Sequence, residues 1–413
     1  MATLHTISHM SGFNIGKRLT AVDLFCGCGG ISAGLRSAGF DVLAGVDLNR
    51  HYISSFRENF PEARTLEWDL TAMTPAEFMK RVGIKSGDLD LVAGGPPCQG
   101  FSKNVPRKYR FLQDSRNLLI KTFLDYCEVF QPRMILMENV AEMKNGFDQA
   151  YTNEILERLQ EEGYTVTHAV LNAADYGVPQ RRRRAFFFAN RLGVRFSPPA
   201  ATHMEPDDST QGSLIASSNH VCVWDAIGDL PPLDNGEKRD PAQYACAPFS
   251  EFQKLMRNGQ DLVRNHVARF LRPTQFARLA ALQPGQGHKD LPKDLQVGGG
   301  YSGAYGRLTK GMVAPTITRW VFHPGSGRWG HPLDVRVISI REVARIQSFP
   351  DNFTFVGSYT QQAAQLGNAV PPLLIRRLIE AMLAQLPSDL SKRSRSASTL
   401  NLAESAGAVK VAR

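Results

Sequence analysis

Residues 19–30, "LTAVDLFCGCGG", run a β-rich apolar stretch directly into a cluster of glycines, and the helical pattern of "ISAGLRSAG" follows and closes on Gly39. A strand that turns through glycines into a helix opens a parallel α/β unit, and such a turn lets backbone approach a ligand at the helix N-terminus. The rhythm continues outward. "DVLAGVD" reads as the next strand and "NRHYISSFREN" as the next helix, while "LDLVAGG", "RMILMEN" and "RAFFFAN" read as buried strands. "NLLIKTFLDYCEVF" and "NEILERLQEEG" carry helical periodicity between them. Strands alternating with helices predict an α/β class with a mostly parallel, doubly wound sheet covered on both faces.

From about residue 196 to 335 the periodicity weakens, and proline, glycine, serine and isolated aromatics dominate. This stretch reads as a second, loop-rich domain. Helical patterning returns in "SIREVARIQSF" and "SYTQQAAQLGNAVPPLLIRRLIEAMLAQL". The polar stretch after residue 386 reads as a disordered tail.

The chain has 413 residues, 43% of them hydrophobic, and a net charge of +9, so its balance is globular with a basic excess that favours polyanionic partners. No apolar run is long enough for a membrane span, and no signal peptide is seen, which points to an intracellular, cytoplasmic protein. Six cysteines stand at 26, 28, 98, 127, 222 and 246 without a paired CxxC arrangement, so no metal site is expected.

Several residues at strand ends suit chemistry. Gly27, Gly29 and Gly30 form the first turn, but Ser32 stands where the dinucleotide fingerprint needs its third glycine, which disfavours an NAD site. Asp47 ends the second strand about 20 residues on, where an acid can bind ribose hydroxyls, and Asp69 is a further carboxylate at a strand end. "GGPPCQGFS" (94–102) frames Cys98 between rigid prolines and a flexible Gln99-Gly100. "MENV" brings Glu138 to the same edge, as a proton donor if burial raises its pKa. In "PQRRRRAFF" strand alternation puts Arg182 and Arg184 on one side. Taken singly, each also suits a plainer role: a structural turn, a helix-capping acid, an inert cysteine or a solvated charge run.

The whole set, in order, resembles the cytosine-5 DNA methyltransferase family over roughly residues 19–195 and 336–385. The matching elements are "DLFCGCGG", Asp47, Asp69, "GGPPCQGFS", "DSRNLL", "MENV", "QRRRR", "REVARIQSFP" and "QLGNAVPP", with "GRLTKGMVAPTITRW" similar to the segment that closes the family's target-recognition region. The resemblance implies a Rossmann-like fold dependent on S-adenosyl-L-methionine, with residues 1–195 and 336–386 catalytic and 196–335 inserted for target recognition. It implies double-stranded DNA as partner, a monomer and nucleoid association, and it allows a companion restriction endonuclease, whether the enzyme serves restriction-modification or works alone. By motif position Cys98 is the nucleophile, Glu138 the group on cytosine N3 and its amine, and Arg182 and Arg184 the arginines that hold the base and orient that acid. Asp23, Phe25, Gly27, Gly29, Gly30, Asp47, Leu48, Asp69, Leu119 and Asn368 align with cofactor positions, and Gln99, Ser102 and Thr316 with DNA contacts. Two departures stand out: Asp47 replaces the usual glutamate, and Leu48 a larger side chain that stacks on adenine, so that Phe25 or Trp68 would have to stack instead. A tRNA cytosine methyltransferase, a silent DNA-binding relative and a nicotinamide-dependent oxidoreductase are the competing readings.

Overall fold

A computed structural model describes residues 18–97, 118–144, 149–205, 218–298 and 303–387. Cys98, Gln99 and Ser102, and the expected tail, lie outside the described residues. Alternating strands and helices follow the order of the sequence: β1 (Leu19–Leu24), α1 (Gly30–Ser37), β2 (Phe40–Asp47), α2 (Arg50–Asn59), β3 (Arg64–Glu67), α3 (Pro75–Val82), β4 (Leu91–Gly94), α4 (Leu118–Phe130), β5 (Met134–Val140), α5 (Ala150–Glu161), β6 (Thr165–Asn172) and β7 (Arg183–Asn190).

The seven strands form one sheet in the order β3-β2-β1-β4-β5-β7-β6. Strands β1 to β5 pair in parallel, while β7 runs antiparallel to both β5 and β6. Side chains alternate between the faces, as strand geometry requires. Leu91, Ala93, Met134, Leu136, Phe186 and Phe188 enter one core with α1, whereas Val92, Ile135, Met137 and Phe187 enter the other with α3, α4 and α5. The sheet is therefore wound on both faces, which is the Rossmann-like α/β architecture.

Strand order reverses between β1 and β4, and in open α/β sheets the crevice at such a switch point, outside the carboxyl ends of the strands, takes the ligand. The glycine turn leaves β1 there, and the Gly-Gly-Pro-Pro turn leaves β4 beside it.

Among its described residues the loop-rich part carries short helices, α6 (Val223–Ile227), α7 (Glu251–Arg257) and α8 (Pro273–Ala280), and two-residue strand pairs such as Lys238–Arg239 with His266–Val267. Then come α9 (Ile340–Ile346), α10 (Tyr359–Asn368) and α11 (Pro372–Ala384). The last returns to the sheet: a Cβ on Gly34 of α1 would fall 2.5 Å from Ile375 of α11. One apolar core runs from α1 and α11 through α9 and α10 into Val223, Ala226 and Ile227 of α6, so the lobe is continuous with the sheet domain in packing.

Helix α9 is the seam. Its Arg345 is fully buried, pairs with Asp351 at 2.5 Å, and donates to the Ala226 carbonyl and to Asp229 of the lobe. Arg341 donates to the Arg264 carbonyl at 2.7 Å, and Arg336 pairs with Glu342 at 2.7 Å. Among the described residues no helix is long and apolar enough to cross a membrane.

Candidate active site

The turn after β1 is built on left-handed backbone. Gly27 and Gly29 have φ of 56° and 101°, and Phe25 adopts φ 60°, a conformation that costs a non-glycine residue of order 1 kcal/mol and tends to persist at functional sites. Gly30 is required by contact: a Cβ there would lie 2.4 Å from the Val370 carbonyl oxygen. Among the described residues a Cβ on Gly27 would meet nothing within 4 Å, so this part of the turn is open toward them.

Three carboxylates frame the turn. Asp47 closes β2, accepting the Gly27 N–H at 2.9 Å and the Asn49 N–H at 2.8 Å, and burial raises its pKa above the usual carboxylate value. Asp69 accepts the Thr71 N–H and hydroxyl at 2.9 and 2.7 Å. Asp23 is fully buried and accepts from both the N–H and the hydroxyl of Ser32, at 3.1 and 2.6 Å. Ser32, which argued against a dinucleotide, thus fastens the first turn of α1 to β1. The other Asp23 oxygen has no partner, and burial lifts this carboxyl to about 7.

Of the other residues that the resemblance aligns with a cofactor, Asn368 ends α10 and its amide donates to the Tyr52 hydroxyl at 3.0 Å. Leu119 lies in the first turn of α4 and is half-buried. Leu48 is 67% exposed beside Asp47. Arg81 stacks 4.1 Å from the Trp68 ring centre, so one face of that indole is already covered.

Beside β4, the structure gathers Glu138, Arg184 and the Pro-Pro turn. The Glu138 carboxylate meets Arg184 at 2.9 Å. Burial pushes its pKa up, with the Arg184 and then the Arg182 charge pulling it back. A Cβ on Gly95 would lie 3.1 Å from the Glu138 Oε2, so glycine there lets the acid lie against the turn. Asn139, the next residue of β5, donates to the Pro96 carbonyl at 3.0 Å. The reading of the sequence passed over Asn139, although it stands inside "MENV".

The two arginines part company. Arg184 lies within β7 and pairs with the acid, whereas Arg182 precedes that strand. The buried Arg182 guanidinium donates to the Ile317 carbonyl at 3.0 Å and the Gly367 carbonyl at 3.2 Å, bracing sheet, lobe and α10. Its Nε is buried without a partner, and burial lowers its pKa. Thr316 donates to the Arg181 carbonyl at 2.6 Å, and Gln180, also passed over, accepts the Ile317 N–H at 2.8 Å. "QRRRR" is in this way stapled to "APTIT".

Burial raises the Cys26, Cys28 and Cys127 thiols, which makes them poor thiolates. A surface cleft of about 460 Å³ beside Asp175, His203 and His220 lies toward the β6 edge, away from the switch point. Among the described residues no group of three or more His, Cys, Asp or Glu is placed to hold a metal ion.

The family described as C-5 cytosine-specific DNA methylase matches residues 19–384. The chain is 33% identical over 368 residues to the type II methyltransferase M1.HphI of Haemophilus parahaemolyticus, covering 88% of this chain and 87% of that protein. It is also 33% identical over 381 residues to the type II methyltransferase M.DdeI of Desulfomicrobium norvegicum, covering 88% of each. Among solved structures, a putative DNA modification methyltransferase encoded within an Escherichia coli prophage superposes with a TM-score of 0.68 at 25% identity, over 89% of this chain and 99% of that one.

Proposed function

We propose, for a chain that belongs to the C-5 cytosine-specific DNA methylase family, that it methylates carbon 5 of a flipped-out cytosine in a specific duplex sequence, through a covalent bond to Cys98 and with S-adenosyl-L-methionine as donor. The observation that carries this reading is the Glu138–Arg184 pair, lying against Gly95 at the carboxyl edge of the sheet whose switch point holds the glycine turn. A base within a duplex cannot present carbon 6 to a thiolate, so the target must leave the stack.

The residues present suit the donor. Gly27 is open toward the described residues, the Asp47 carboxylate stands at the end of β2 for ribose hydroxyls, and Asp69 and Asn368 lie on the same edge. When bound, the donor supplies a methyl group as an electrophile. Cys98 Sγ bonds to carbon 6, and the electron pair displaced from the 5,6 double bond makes carbon 5 nucleophilic. Glu138, which burial keeps easier to protonate, hydrogen-bonds ring N3 and the exocyclic amine and offsets charge as it develops. Arg184 holds that carboxyl in place. After methylation, loss of the carbon 5 proton to a base returns the electron pair, and the C–S bond breaks to release Cys98. The partner follows from family and charge: duplex DNA held between the sheet domain and residues 196–335, gripped at its phosphates and read at base edges.

Methyl transfer from labelled donor to duplex DNA and to tRNA tests the reading, with label in tRNA alone overturning it. Cys98→Ala is expected to abolish transfer and keep DNA binding. DNA whose cytosine carries a carbon 5 substituent that cannot leave is expected to trap the wild-type chain and not the variant.

A further inference from the structure

The cofactor reading leaves one polar group at the mouth of the glycine turn without a role: the phenol of Tyr52. This residue lies in the first turn of α2, where Asn49 caps the helix by accepting its N–H and that of His51. Its hydroxyl accepts from the Asn368 amide at 3.0 Å, across 316 residues of sequence. Neighbouring bonds fix the alignment of the two helices. Gln365 donates to the His51 carbonyl at 3.2 Å, and the Val356 N–H donates to the Ser55 hydroxyl at 2.8 Å. The next residues after Asn368 press on the turn itself, since the Val370 carbonyl lies where a Gly30 Cβ would be.

The hydrogen bond has a direction. With the Asn368 amide given to the phenol oxygen, the Tyr52 O–H remains a free donor and the Asn368 Oδ1 a free acceptor. Among the described residues neither atom has another partner. Burial holds the phenol above its ordinary pKa, so it keeps its proton at neutral pH, although Asn368 and the Arg319 guanidinium pull the other way. One donor and one acceptor side by side, with an arginine charge in range and a helix N-terminus beside them, match a zwitterion.

We infer that Tyr52 and Asn368 form a two-point clamp for the amino-acid end of the methyl donor, the phenol donating to its carboxylate and the carboxamide oxygen accepting from its ammonium. Tyr52 also acts as a positioning residue, because without its oxygen the Asn368 amide is free to turn over. The inference rests on the donor assigned above and adds how that donor is told apart from other adenine nucleosides.

Calorimetric titration of the full chain with S-adenosylmethionine and with 5′-methylthioadenosine, which lacks the amino-acid end, separates the possibilities. Tyr52→Phe and Asn368→Ala are each expected to weaken S-adenosylmethionine binding about tenfold, the scale of a hydrogen bond to a charged group. Each should change 5′-methylthioadenosine affinity by less than about twofold, and the double variant should fall little below the single ones. A Tyr52→Phe chain that binds S-adenosylmethionine as the wild type does, or that loses both ligands equally, overturns the clamp and leaves the donor assignment standing. A wild-type chain that binds neither ligand overturns the donor assignment and the clamp together.

Discussion

Glu138 shows how a single side chain is tuned by its neighbours. Burial raises its pKa, and the Arg184 guanidinium at 2.9 Å is the largest opposing influence. Removing that cation therefore raises the pKa further. Arg184→Ala is expected to lower kcat by about 10²-fold, because the acid loses its orienting partner. The alkaline limb of the pH–rate profile should move to higher pH in the same variant, and a move to lower pH would contradict this role. Arg182 teaches the opposite lesson. Strand alternation put it on the same side as Arg184, but Arg182 lies before β7 begins, and its donors go to the Ile317 and Gly367 carbonyls. Where a guanidinium ends up depends on carbonyls more than a hundred residues away, which no local pattern reveals.

At the scale of elements, strong periodicity and glycine turns made most of the sheet domain legible. Strands β1, β2, β4, β5 and β7 stand where apolar runs predict them, and α4 and α5 where helical spacing does. Strand β6 escaped because it is an edge strand, mostly half-buried, whose "TVTHAVLN" lacks a clean apolar face. Helix α3 escaped for a related reason, since only Phe78 of its eight residues is buried, although Thr74, Pro75 and Gly83 mark its ends. The seam made by α9 was the least legible, because buried arginines read in sequence as surface charge. Asp351→Asn is expected to cost about 3–5 kcal/mol at neutral pH, by leaving Arg345 underpaired in the core. Denaturant titration measures this. The Arg345 and Arg341 charges hold Asp351 below the usual carboxylate range, so its contribution is complete above the unfolded value of about 4 and fades as pH falls through the lower native one. Burial keeps His331 neutral well below the ordinary imidazole value, so the unfolded chain takes up a proton that the folded one refuses. The His331 contribution is therefore lost as pH falls below about 6.5, while Asp23, lifted to about 7, takes up its proton in the folded chain over the same range and offsets that loss. The melting-temperature difference between wild type and His331→Gln isolates the histidine, and a difference that does not change from pH 7 to 5 would contradict its contribution.

Across the whole molecule, the chain carries a net charge of +9 and a lobe that shares its core with the sheet domain. If phosphates supply the grip, DNA affinity should fall on the order of 10³-fold between 50 and 200 mM salt, as expected for several phosphate contacts. Fluorescence anisotropy across that range checks it, and a flat response would remove the electrostatic argument for the partner. The sequence places the end of the inserted lobe near residue 335, and α9, which follows it, bonds back to Ala226 and Asp229 of the lobe and shares its apolar core. The contact of α1 with α11 has a consequence in time. Gly30 and Gly34 are made early in synthesis, yet the surfaces that press on them, Val370 and Ile375, follow about 340 residues later. At about 5–20 residues per second that is an interval of about 17 to 70 seconds. Throughout it the first turn is an uncovered half-site, so a nascent chain carries all of β1 to β7 before it can close around a methyl donor. The enzyme's waiting period is written into its topology.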